Sequence, residues 1–212
     1  MRDKFNDPES ILTRARTSCT HARQIWSGLQ ADSRTGPDLL LAYLKSIVHA
    51  VNAVSLSVNG KPLAERRLLL QFPIHAEDAG KPELADALLE LLGAGNLDMD
   101  GEMLSACLAA WEQDFTLASG TPGVEPRISM IRLNYYKLAC QAMLEGESPH
   151  TILWPLLLTW TYSARSLPAA QRKTWESTCL GMGLLGSGFT EKLDSLDRFL
   201  DVIEEMLEEE PS

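Results

Sequence analysis

The chain has 212 residues, 45 % of them apolar and 23 % charged, with a net charge of −10. A chain of this size buries roughly 70 % of its unfolded surface, so its core needs neither disulfide nor metal to hold it. The negative charge is split evenly between residues 1–120 and 121–212, a field that works against nucleic acid and anionic membrane as partners.

Asp7-Pro8-Glu9 reads as a helix start, a capping Asp followed by Pro at the first helical position. The residues before it contain no apolar run, so no signal peptide is expected and the location is expected to be cytoplasmic. Ile11, Leu12, Ala15, Cys19, Ala22, Ile25, Trp26 and Leu29 follow at helical spacing, with Arg14, Arg16, His21 and Arg23 on the opposite face. After a polar connector, Pro37-Asp38 opens the central helix. There Leu40, Leu44, Ile47, Val51, Val54 and Val58 step by four and three residues, and Leu41, Val48, Ala50 and Ala53 widen the apolar surface. Val54-Ser-Leu-Ser-Val58 alternates as a strand would, but no alternating segment follows it, so Asn59-Gly60 reads as a helix C-cap.

Residues 63–72 form a short helix that Pro73 is expected to end. Lys81-Pro82-Glu83 opens a helix with Leu84, Leu88, Leu91 and Leu92 on one face and Gly93 beyond its end. Asp98-Met-Asp100 caps the next helix, which carries Leu104, Cys107, Leu108, Trp111 and Phe115. Residues 119–126, Ser-Gly-Thr-Pro-Gly-Val-Glu-Pro, are the strongest breaker in the chain and the expected subdomain boundary. A helix over 127–145 follows, with Met130, Ile131, Tyr135, Leu138, Ala139, Ala142 and Met143 as its apolar positions. Ser148-Pro149 caps a helix through Ile152, Leu153, Leu156, Leu157, Trp160 and Ala164, with Pro155 kinking it or marking its first turn. Pro168 opens a helix through Trp175, Cys179 and Leu180. The glycine-rich residues 181–188 connect to a last amphipathic helix with Leu193, Leu196, Phe199, Leu200, Ile203 and Leu207. The expected fold is all-α, a bundle of about eight helices in two packed subdomains, 1–119 and 120–212.

The four cysteines, Cys19, Cys107, Cys140 and Cys179, are widely spaced and read as buried reduced thiols. His21, His49, His75 and His150 form no close-spaced set for zinc, and no cofactor or metal is expected. Lys45, His49 and Asn52 make a polar line at i, i+4 and i+7 on the central helix, the candidate ligand-facing stripe. Otherwise they are that helix's solvent edge. Arg16 and His21 have the Arg-x4-His spacing at which an Arg can stabilise a phosphate and a His can move a proton. Otherwise Arg14, Arg16 and His21 are a solvated basic face. Asp98-Met-Asp100 has the spacing of a divalent-metal pair but precedes a helix, where capping accounts for it. Residues 181–188 lack the Lys-Ser/Thr ending of a phosphate loop. Trp154, Trp160 and Tyr162, with Tyr135 and Tyr136, are core residues or a stacking surface.

Leu41-Ala-Tyr-Leu-Lys-Ser-Ile-Val-His-Ala-Val-Asn-Ala-Val, then Asn59-Gly-Lys-Pro and Arg66-Arg67-Leu68, resembles a stretch of HEPN-type helical domains, which accompany small nucleotidyltransferases. Tyr135-Tyr136-Lys137-Leu138 and Leu153-Trp154-Pro155-Leu156 look like the extra helices found after some nucleotidyltransferase domains. The nucleotidyltransferase signature itself is absent, since Gly186-Ser187 precedes Asp194 and Asp197 at the wrong spacing. The family's ribonuclease motif is also missing from its late-helix position. The resemblance therefore implies a non-catalytic helical module that binds a protein partner, such as a nucleotidyltransferase, or a small ligand. Lys45, His49 and Asn52 would face that ligand or partner, and Arg66 and Arg67 would contact phosphate. The alternatives are a HEPN-like ribonuclease using Arg16 and His21, and a homo-oligomeric regulatory protein that uses its aromatic surface.

Overall fold

The structure, a computed structural model, describes residues 7–32, 34–95 and 100–209. Those residues form an all-α protein of nine α-helices: α1 (Pro8–Gln30), α2 (Pro37–Asn59), α3 (Leu68–Asp78), α4 (Glu83–Leu91), α5 (Gly101–Ser119), α6 (Met130–Leu144), α7 (Leu153–Ser166), α8 (Lys173–Gly181) and α9 (Phe189–Glu208). Short 3₁₀ turns precede α3, α6, α7, α8 and α9. The chain divides into two compact units that are not contiguous in sequence. The first gathers the described residues of Met1–Ser33, Ala42–Leu91 and Thr190–Ser212. The second gathers those of Arg34–Leu41 and Leu92–Phe189. The 119–126 breaker falls inside the second unit, as the loop between α5 and α6.

In the first unit α1, α2 and α9 are held together through small residues and helix ends. The Ser18 hydroxyl donates to the His49 carbonyl and the Ser46 hydroxyl to that of Ala22, each at 2.8 Å. Ser18 pairs with His49 and Ala22 with Ser46, so α1 and α2 are antiparallel. Ala15 and Ala22 of α1 and Ala50 and Ala53 of α2 are fully buried, and these short side chains permit a close approach of the two helices. By length and composition α2 could cross a membrane, but 67 % of its most apolar window is buried within the protein, as in a core helix. Asp7 caps α1 and Asp100 caps α5, accepting from the Ser10 and Met103 amides. Asn59 ends α2, and Gly60 follows at φ +67°, with its N–H donating to the Leu56 carbonyl.

Helix C-termini leave carbonyls without intrahelical partners, and long side chains take several of them here. Arg14 donates to Gly60 beyond α2, and Arg16 donates twice to the Leu207 carbonyl near the end of α9. Lys192 donates to Glu90 and Tyr43 to Leu91 at the end of α4. A cation at a C-terminus also complements the helix dipole. Of the basic face expected from the sequence, Arg16 and His21 are exposed, but Arg14 and Arg16 also hold carbonyls at helix ends. Arg23 is a hub, donating to Asp197, Asp201 and Glu204 of α9 and lying over the Trp26 ring.

Pro73 does not end its helix. It sits inside α3, on the exposed side. It removes one backbone hydrogen bond, which burial of Leu68, Leu69, Phe72 and Ala76 outweighs.

The second unit is built around α7. Every residue from Thr151 to Thr161 is buried. Pro155 stands in the first turn of α7, where its missing N–H costs nothing. The hydroxyls of Thr159 and Thr161 donate back to Pro155 and Leu157 while accepting from the indole N–H groups of Trp111 and Trp175. The Trp160 indole donates to the buried Asp114 carboxylate at 2.6 Å. Trp154, fully buried, has no partner for its indole N–H among the described residues. Gly93 must be glycine: its φ is +83°, and a Cβ would lie 2.5 Å from the Met182 carbonyl oxygen.

Candidate functional site

The polar line of α2 lies where α1 crosses it. His49 is half-buried and Lys45 exposed one turn earlier. The His21 ring of α1 meets the His49 ring edge-to-face, centroids 5.5 Å apart and planes at 73°. The two polar sets read separately from the sequence, Arg16 with His21 and Lys45 with His49 and Asn52, thus share one seam. They do not converge completely. Arg16 is committed to the Leu207 carbonyl. The Asn52 amide oxygen accepts from the Leu63 N–H at 2.9 Å, which makes Asn52 a brace for the turn after α2. His75 lies apart, its Nδ1 3.0 Å from the Ser55 hydroxyl.

What remains in the seam is His21, Lys45 and His49. None of the three side chains has a hydrogen bond or ion pair among the described residues. Burial, the His21 ring and the Lys45 ammonium all push the His49 pKa below its ordinary value of 6.5, and no carboxylate counters them. Residues 10–31 and 39–64 contain no Asp or Glu. Arg66 and Arg67 are exposed in the 3₁₀ turn Glu65–Arg67, a separate place on the same unit.

A second surface lies on α6. This helix packs on α5 antiparallel to it, through Tyr136 against Phe115 at 6.1 Å and Lys137 bonded to Glu112 at 2.8 Å. Cys140 is its one buried residue. Of its apolar positions, Met130, Ile131, Tyr135 and Leu138 are 52, 92, 45 and 59 % exposed. Ala142 is exposed as well. The sequence gives no sign of this, because periodicity places residues on one face without saying what covers it.

The second unit has cavities lined by described residues. One, of about 430 Å³, lies between the Thr121–Pro126 loop and Tyr162, Arg165 and Ser166 of α7. Another, of about 320 Å³, runs between α5 and α6 past Leu108, Glu112, Lys137 and Leu144. Neither involves Lys45, His49 or Asn52. Of the aromatic candidates, Trp154 and Trp160 are core, Tyr162 lies under the Arg127 guanidinium, and Tyr135 is open to solvent.

The remaining candidates resolve locally. Asp98 lies outside the described residues, and Asp100 is a helix cap. Residues 181–188 connect α8 to α9, and a Cβ on Gly188 would sit 2.9 Å from the Gly183 Cα. The four cysteines are buried thiols. Burial raises the pKa of each, those of Cys19 and Cys140 to about 12, which keeps them protonated and unreactive. Among the described residues no three His, Cys, Asp or Glu side chains are grouped to hold a metal ion. Comparison of the chain with protein-family models, with curated proteins and with solved structures finds no match.

Proposed function

We propose that the protein is a non-catalytic helical interaction module that docks an acidic, amphipathic helix of a protein partner on the outer face of α6. The observation that carries this reading is the exposed stripe Ile131, Tyr135, Leu138 and Ala142. Its 4-3-4 spacing is that of a helix–helix seam, and it leaves Ile131 and Leu138 mostly open to solvent, 92 and 59 % exposed. The charge around it selects the occupant. The charged residues of 126–144 are Arg127, Arg132 and Lys137. Lys137 is paired with Glu112 and Arg127 lies 3.8 Å from Glu125, so Arg132 is the cation a partner would meet. Arg132 is exposed and has no ion pair among the described residues. A partner helix with Leu on its apolar face and Glu beside it would complement both features.

Extent argues against a second copy. Four such side chains bury on the order of 400–500 Å², about half the roughly 800 Å² per partner of a standard stable interface. The resemblance of residues 41–68 to HEPN-type helices makes a nucleotidyltransferase the first natural partner to test.

The experiment uses two synthetic helical peptides with Leu at the seam positions, one flanked by Glu and one by Lys, titrated into the full chain by fluorescence anisotropy. The Glu peptide is expected to bind at least tenfold tighter than the Lys peptide, and Ile131→Asp to weaken it at least tenfold. Because Ile131 is 92 % exposed, the variant should keep wild-type stability within about 0.5 kcal/mol. Equal binding of both peptides, or binding indifferent to Ile131→Asp, would overturn the reading. Self-association abolished by Ile131→Asp would also overturn it, assigning the face to a second copy. RNA cleavage by the purified protein, lost in His21→Ala, would refute the non-catalytic claim in favour of the ribonuclease.

A further inference from the structure

We infer that the α1–α2 seam at His21, Lys45 and His49 is a binding site for one tetrahedral oxyanion of the phosphate class. This inference is independent of the α6 face and rests on different residues.

Three nitrogen-bearing side chains from two helices meet there, and none is used by the fold. His49 is held in place from behind, because its own carbonyl accepts the Ser18 hydroxyl and its helix is fastened to α1 again by Ser46. The His21 and His49 rings touch edge-to-face, centroids 5.5 Å apart, so an anion that reaches an N–H of one ring lies beside the other. Lys45 follows one turn away on the same face of α2 as a mobile ammonium donor. Phosphate has enough acceptor oxygens to satisfy all three groups at once, which a monatomic anion lacks.

Electrostatics agree with the geometry despite the acidic chain. Screening limits distant charges to a range of about 8 Å at physiological salt. Within the two helices that form the seam, residues 10–31 and 39–59 supply no carboxylate at all. The carboxylates that α9 brings to α1, Asp197, Asp201 and Glu204, are already bound to Arg23. Among the described residues no carboxylate is paired with His21, Lys45 or His49, and an anion would relieve the repulsion that arises when the rings are protonated. A cation is disfavoured at the same place, since Lys45 would repel it and, among the described residues, no carboxylate is grouped with the two imidazoles as a third ligand.

The test is a titration of inorganic phosphate into the full chain at pH 6.5, read from the ring resonances of the four histidines. The His21 and His49 signals are expected to shift saturably, while His75 and His150 stay in place. Chloride at matched ionic strength should produce no such shift. Lys45→Ala, an exposed substitution, is expected to weaken phosphate at least tenfold, and Lys173→Ala, on α8, to leave it unchanged. A parallel arm with a simple alkyl phosphate monoester separates the sources. Tighter binding than inorganic phosphate assigns the site to phosphorylated ligands, and equal binding assigns it to phosphate itself. The inference fails if the four histidines shift alike, if the shift does not saturate, or if Lys45→Ala binds as the wild type does.

Discussion

In the second unit three indole N–H groups find oxygen acceptors inside the core, while four apolar side chains of α6 stand in water. In the first unit the wide apolar surface of α2 is buried, and basic groups are what stand uncompensated, along the α1–α2 seam. The second unit thus presents an apolar stripe and the first a basic cluster, although Leu70 and Ile74 of α3 are exposed in the first as well. The difference shows where to look for binding. Fully buried apolar side chains and paired buried donors are accounted for by folding, whereas an uncovered apolar stripe and an uncompensated basic cluster are not.

The sharpest break in this comparison comes from the interior of the second unit. Asp114 is buried, and burial raises its pKa, while the hydrogen bond from Trp160 lowers it. Trp160→Phe removes the donor along with part of the ring volume and leaves the carboxyl group without it. The expected cost is about 2–4 kcal/mol, measured by denaturant unfolding. The double variant Trp160→Phe/Asp114→Leu should recover part of that loss, because the orphaned acceptor is gone. No recovery would mean that the pair is not a coupled unit.

A smaller effect is expected at the periphery of the first unit. Arg23 gathers Asp197, Asp201 and Glu204, and their hydrogen bonds, that of Glu204 foremost, raise its pKa above the usual arginine value. The carboxylates are partly exposed, which discounts each pair. Arg23→Ala leaves three like charges together on one face of α9. We expect a loss of about 1–2 kcal/mol at low ionic strength, shrinking as salt is added. A loss that does not change with salt would show that Arg23 acts through packing on Trp26 instead.

How much of this was legible in the chain depends on the range of the interaction. The caps at Asp7, Asp100 and Asn59-Gly60 could be read because they act within four residues. The buried face of α9 could be read from the strict spacing of Leu193, Leu196, Leu200, Ile203 and Leu207. Pro73 was misread because the local penalty of a proline was weighed without the tertiary burial of Phe72 and Ala76 beside it. The bond from Arg16 to Leu207 could not be read because the acceptor lies 191 residues away. His21 and His49 were each singled out as candidates, yet their meeting depends on how α1 and α2 align, which two serine hydroxyls decide. On α6 the spacing of Ile131, Tyr135, Leu138 and Ala142 on one face could be read, but their exposure could not, because spacing does not say what covers a face.

The subtlest expected effect is the pH response of His49, which also reports on the seam. Burial, His21 and Lys45 together lower its pKa in the folded chain below 6.5. The unfolded chain, with an ordinary imidazole, therefore binds the proton more readily. Stability due to this group is full above the unfolded value. It falls as pH drops through 6.5 and levels off once pH passes below the folded pKa. His49→Gln removes the slope, so its stability relative to wild type should rise as pH is lowered from 7 to 5, and the two curves should run parallel above pH 7. Inorganic phosphate at saturating concentration should reduce the slope in the wild type, because the bound anion favours the protonated ring. A wild-type slope that His49→Gln leaves unchanged would place the titration elsewhere, and a slope that phosphate does not alter would separate the imidazole from any anion in the seam.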